Sequence, residues 1–222
     1  MRASARRTSP RAWVSTRKQF ADGSKAACRT RGTDEADLWP EVQAARAARS
    51  RPEEIRAVYP HRWSIARETW RSLFQSAEHE IGILAYSALF LAEDAGILGV
   101  LADKASAGMA VRIALGNPDS PNVAGRGTEE GIGDAMAAKI RNALALYRPL
   151  SDAQGVQLRL HQTVLYNSIY RADSELFVNQ HVYGMPAANA PVFHLRRRQR
   201  ADMFAAYLDS FERVWQAATP VK

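Results

Sequence analysis

His161 is the residue through which this sequence most readily does chemistry. It closes the alternating run Val156, Leu158, Leu160 and so stands at the end of a strand, where a side chain can face a cleft. An imidazole in that place can act as a nucleophile or move a proton. Downstream follow Tyr166, Asn167, Tyr170, Asn179, His181 and Tyr183, aromatic and amide groups of the kind that line a pocket selecting by shape and a few hydrogen bonds. His161, His181 and His194 can converge on a metal, but no cysteine lies near them and their spacing matches no compact ligand motif. Neither a metal nor a cofactor is therefore expected.

Two further segments carry a weaker chemical reading. Gly125-Arg-Gly-Thr128-Glu-Glu130 precedes a helical pattern, and backbone N–H groups there can hold an anion. It lacks a Walker lysine, and its two glutamates repel phosphate, so Thr128 reads as a plain N-cap. The run Arg196-Arg-Arg-Gln-Arg200 reads as a solvated turn before the last helix, with a phosphate-contacting patch as the alternative.

The elements that must position these groups follow from periodicity. Trp63, Ala66, Trp70, Phe74 and Ala77 give helical spacing over 61–78. Strands are predicted at 80–86, 109–115, 156–161, 164–170, 176–182 and 192–195, with a turn at 173–175 and an irregular loop at 185–191. Further helices are predicted at 93–107, at 128–147 before Pro149, and at 202–216. This order predicts an α/β fold, a mixed sheet flanked by helices. Residues 60–217 form the domain. Residues 39–59 read as a helical linker, with a second helix start at Pro52, and residues 1–38 as a basic tail without periodicity.

The formal charge is +7 over 222 residues, and its location is informative. Between Arg2 and Arg31 nine basic residues face one acid, Asp22, so residues 1–32 carry +8 and the remainder −1. The near-neutral body gives no electrostatic case for binding nucleic acid by itself; DNA contact is expected indirectly or through residues 1–32. No apolar run is long enough to span a bilayer, and no apolar stretch follows the basic N-terminus as in a signal peptide. Cys28 is the single cysteine, so no internal disulfide forms, and a cytoplasmic location is expected.

The segment His161-Gln-Thr163-Val-Leu-Tyr-Asn-Ser168, with Asn179 beyond it, resembles the phospholipase D superfamily. That family carries His-x-Lys-x-x-x-x-Asp on a strand and a downstream Gly-Ser-x-Asn. The resemblance implies that His161 stands where the family has its nucleophile, and that Asn179 stands near the phosphate-holding asparagine. Thr163 replaces the lysine, Ser168 replaces the aspartate, and no Gly-Ser precedes Asn179. A neutral hydroxyl supplies no fixed positive charge to a phosphate in its transition state. The motif is thus degenerate, and no catalytic residue is assigned.

Longer strings, Arg51–Pro60, Leu165–Arg171 and Val178–Gly184, are similar to the C-terminal domain of bacterial XRE-type helix-turn-helix transcriptional regulators. Here no helix-turn-helix is recognisable. The resemblance implies a non-catalytic sensing or dimerisation domain built on a single phospholipase-D-like half. Its small-molecule ligand would be held by His161, Tyr166, Asn167, Tyr170, Asn179 and His181. The alternative is a divergent phosphodiesterase using His161. A single half also leaves Tyr166, Ile169 and Tyr170 bordering solvent, which predicts a homodimer unless the 185–191 loop covers them.

Overall fold

The computed structural model describes residues 54–151, 153–199 and 202–221. The described residues fall in one compact unit. The expected basic tail, and the linker as far as residue 53, lie outside the described residues.

Eight strands form one mixed sheet, β1 (Ile55–Tyr59), β2 (Glu80–Ala85), β3 (Ala110–Gly116), β4 (Val156–His161), β5 (Asn167–Ala172), β6 (Glu175–Gln180), β7 (Val192–Arg196) and β8 (Thr219–Pro220). Their spatial order is β1-β7-β6-β5-β2-β3-β4-β8. Strands β2, β3 and β4 are parallel, and β5, β6, β7 and β1 continue the sheet antiparallel from the β2 side. The helices are α1 (Arg67–Gln75), α2 (Leu89–Ala92), α3 (Ala95–Ser106), α4 (Pro121–Glu129), α5 (Ala135–Ser151) and α6 (Asp202–Ala217). The α/β architecture expected from the sequence is the one that forms.

Both faces of the sheet are covered, so its central strands are apolar on both sides. Ile81, Ile83, Val111, Ile113, Tyr170 and Phe177 pack with Trp70 and Phe74 of α1, Leu101 of α3 and Tyr147 of α5. On the other face, Leu84, Ala114, Ile169, Val178 and Leu195 pack with Phe204, Phe211 and Trp215 of α6. Gly82 belongs to that second face, and a Cβ there would lie 2.8 Å from the Phe211 ring, so glycine lets α6 approach β2. An ion cluster fastens the same helix. Arg112 donates to both Glu212 oxygens at 2.8 and 2.6 Å and pairs with Glu80, which also meets Arg171 at 2.7 Å.

The β5–β6 turn is clamped to the start of β2. Asp173 has a left-handed backbone, with φ of 46°. Its carboxylate accepts from the N–H groups of Glu78, His79 and Glu80 at 2.6, 3.1 and 2.7 Å. These bonds hold its pKa below the usual carboxylate range despite the opposing effect of burial.

Several local expectations are corrected. Ile55–Tyr59 is a strand, not part of a helical linker, and β1 pairs with β7. The helix expected over 61–78 begins as a 3-10 turn at Arg62–Ser64 and breaks at Ala66, whose ψ of 145° is not helical. Gly125–Glu130 is not a loop but the body and end of α4. Ser120 caps that helix, accepting from Asn122 N–H, while Thr128 donates its hydroxyl to Ala124 O. Gly127 serves packing there, since a Cβ would collide with the carbonyl of Gly133. Pro149 falls within the last turn of α5 rather than beyond its end. Ile169 and Tyr170, expected at a solvent border, are fully buried.

Candidate ligand-binding site

Beyond the carboxyl end of β2 lies a cavity of about 90 Å³, lined by Arg62, Tyr86, Lys139, Ser168, Tyr170 and His181 among others. In a sheet with parallel strands this is where ligands characteristically bind. The lining groups come from several elements. Ser168 and Tyr170 are two apart on β5 and so share one face. Lys139 lies on the first half of α5, and Arg62 on the 3-10 turn ahead of α1. Pro186, Ala187 and Ala188 close one wall. That wall is tied down by Arg126, which donates to Met185 O at 3.1 Å while pairing with Glu130 at 2.7 Å.

His181 and Ser168 form a hydrogen-bonded chain at the cavity. His181 Nδ1 lies 3.0 Å from Leu165 O, so this nitrogen carries the proton and donates. Its Nε2, 3.0 Å from Ser168 Oγ, therefore accepts from the hydroxyl. The ring stacks on Tyr86 with centroids 5.7 Å apart and an interplanar angle of 23°. Burial pushes the His181 pKa down to about 4, and the Arg126 and Arg62 charges push in the same direction. The imidazole is neutral at neutral pH, but it is too weak a base to activate Ser168 efficiently.

His161 is placed differently. Its side chain is sealed, with 1% of the residue exposed. Nδ1 accepts from Thr163 N–H at 3.3 Å, so Nε2 carries the proton and donates to Ala85 O at 3.2 Å. Both ring nitrogens are thus committed to backbone. Burial lowers its pKa, which also leaves it neutral at neutral pH.

Of the six ligand-binding residues expected from the sequence, Tyr170 and His181 line the cavity. His161, Tyr166, Asn167 and Asn179 do not. Tyr166 is 79% exposed. Asn167 opposes Gln180 in the β5–β6 ladder. Asn179 is fully buried and donates to Ala190 O and Pro191 O at 3.3 and 3.2 Å, fastening β6 to the chain entering β7. His194 pairs with Glu175 at 2.6 Å, and among the described residues no three metal-ligating side chains come together. Arg62 and Lys139 were not anticipated. They lie far apart in sequence, and only the fold brings them together.

No protein-family model matches this sequence, and no curated protein matches it. Among solved structures, the chain is similar to TrmBL2, an archaeal chromatin protein whose structure shows a novel mode of DNA binding. The TM-score is 0.46 at 17% identity, over 82% of this chain and 60% of that one. It is also similar to Nuc from Salmonella typhimurium, a phospholipase D family member, with a TM-score of 0.43 at 16% identity, over 75% of this chain and 95% of that one. Among the described residues no helix is long and apolar enough to cross a membrane.

Proposed function

We propose that this chain is a non-catalytic, ligand-sensing domain of a cytoplasmic bacterial transcription regulator, built on one phospholipase-D-like half. The observation that carries this reading is the state of His161. A phosphoryl-accepting nucleophile needs a free ring nitrogen facing substrate, and both nitrogens of His161 are bonded to backbone in a sealed position. The open cavity lies instead beside His181, whose low basicity suits binding. DNA contact runs through the +8 arm of residues 1–32, giving weak, salt-sensitive and sequence-independent binding at most.

Signal transmission in such a regulator runs through a homodimer. Val164, Tyr166, Val182 and Tyr183 are exposed on two adjoining loops, joined by the bond from His181 N–H to Tyr166 O at 2.9 Å. They offer an apolar surface to a second copy. The deciding experiment is hydrolysis of a generic aryl phosphodiester by the full chain. No turnover above buffer is expected. Turnover abolished by His161→Ala would make the chain a divergent phosphodiesterase instead.

A further inference from the structure

We propose that the cavity beyond β2 is a site for one oxyanion group, a phosphate or carboxylate borne by a small molecule, held by Arg62, Lys139 and the Tyr170 hydroxyl. The proposal rests on the ligand-binding reading and names the chemical class that the cavity takes. Three observations converge on it. First, two cations line a small cavity without neutralisation. Among the described residues, no carboxylate lies within ion-pair distance of Arg62 or Lys139, and the acidic lining residue, Glu130, is occupied by Arg126. Second, Tyr170 is fully buried and lines the cavity, and its hydroxyl lies near Arg62 and Ser168 without a well-formed hydrogen bond to either. A buried donor left unpaired costs free energy that an incoming acceptor recovers. Third, the Arg62 guanidinium is fixed over the Phe90 ring, 4.1 Å from its centroid, so one arm of the site is oriented in advance.

The remaining polar groups complete the chemistry. His181 directs its Nδ1 proton to Leu165 O and receives the Ser168 proton, so it adds neither charge nor a free donor. The volume suits one small group, being equivalent to about three waters at ~30 Å³ each. Arg62, Lys139 and Tyr170 all lie outside the motif-like positions 161, 163, 168 and 179. The two cations, Arg62 and Lys139, are groups that the resemblance did not point to.

The test follows the imidazole resonances of His181 by NMR in the full chain, titrated separately with inorganic phosphate, acetate and the neutral sugar ribose. A saturable shift with phosphate or acetate is expected, and the stronger of the two identifies the oxyanion. Arg62→Gln should weaken it by about tenfold or more, the size of one lost charge-assisted hydrogen bond. Tyr170→Phe, which keeps the buried ring, should weaken it by several-fold while circular dichroism stays unchanged. Phosphate binding that leaves His181 unmoved, or that survives Arg62→Gln and Lys139→Ala together, would place the anion elsewhere and overturn the proposal. A shift with ribose alone would overturn the oxyanion class yet leave a ligand-binding cavity. Silence with all three probes would remove both.

Discussion

Two histidines at one end of the sheet have opposite fates. His161 stands at the end of β4, where the motif-like pattern places it, and is tied by both nitrogens to backbone. His181 stands just past β6, outside that pattern, and faces a cavity with a serine on one nitrogen and a carbonyl on the other. Their tautomers are opposite, Nε2–H in the first and Nδ1–H in the second, because a backbone N–H claims Nδ1 of His161 as acceptor whereas a backbone carbonyl takes the Nδ1 proton of His181. Burial lowers both pKa values. The difference teaches that a motif can fix where a strand ends without fixing where a cavity opens. The cavity opens where Ser168 of β5 meets His181, just past β6.

Acid should separate the two most sharply. The folded pKa of His181, about 4, lies below its ordinary value of 6.5, so the unfolded chain binds the extra proton first. The stability linked to His181 is complete above about pH 6.5 and is lost as pH falls toward 4. The loss amounts to roughly 3 kcal/mol by the time both states are protonated. Urea unfolding at a series of pH values should show this slope, and His181→Gln should flatten it. A slope that survives the substitution would mean that His161 or His194, both shifted in the same direction, carries the acid sensitivity. The comparison would then have to be redrawn.

Removing His161 should cost less and leave the cavity alone. His161→Ala strands Ala85 O and the Thr163 N–H, for a destabilisation of about 2 kcal/mol in chemical unfolding. The phosphate-dependent shift of His181 should persist in this variant. Its disappearance would show that the two histidines belong to one site. Ser168→Ala sharpens the other side of the comparison. It should cost about 1 kcal/mol and leave His181 Nε2 without its donor, moving the His181 resonances before any ligand is added. The smallest effect on stability is expected for Tyr166→Ser, within about 0.5 kcal/mol, since the side chain stands in solvent. Sedimentation velocity should nevertheless show weaker self-association. An unchanged sedimentation profile would remove Tyr166 from any dimer contact.

The fold was legible where burial is two-sided and periodic. Ile81, Ile83 and Leu84 announce a covered strand, and Phe204, Phe211 and Trp215 announce the helix that covers it. Strand β1 was not legible, because Ile55–Tyr59 follows a proline and two glutamates that suit a helix start. It becomes a strand through its partner β7, far away in sequence. The Gly125–Thr128 stretch misled for the opposite reason. Gly127 answers to a close carbonyl contact rather than to chain reversal, and Ser120 with Pro121 had already begun the helix. Of the site, Tyr170 and His181 were readable as members of a polar and aromatic cluster. Arg62 and Lys139 were not, because a cation acquires meaning only from the acids it fails to meet, and those are set by tertiary structure.

The pairing of β1 with β7 also has a kinetic consequence. Among the described strands, β1 leaves the ribosome first, yet its partner is made after β2 through β6. The β5–β6 hairpin closes over a two-residue turn and can form early, whereas β1 must wait for a long loop to close. During that interval β1 and the outer side of β7 both present unpaired backbone groups, each a template for the matching strand of another nascent copy. Productive folding of this chain is therefore a race between intramolecular closure of the β1 edge and exchange of that strand between neighbours.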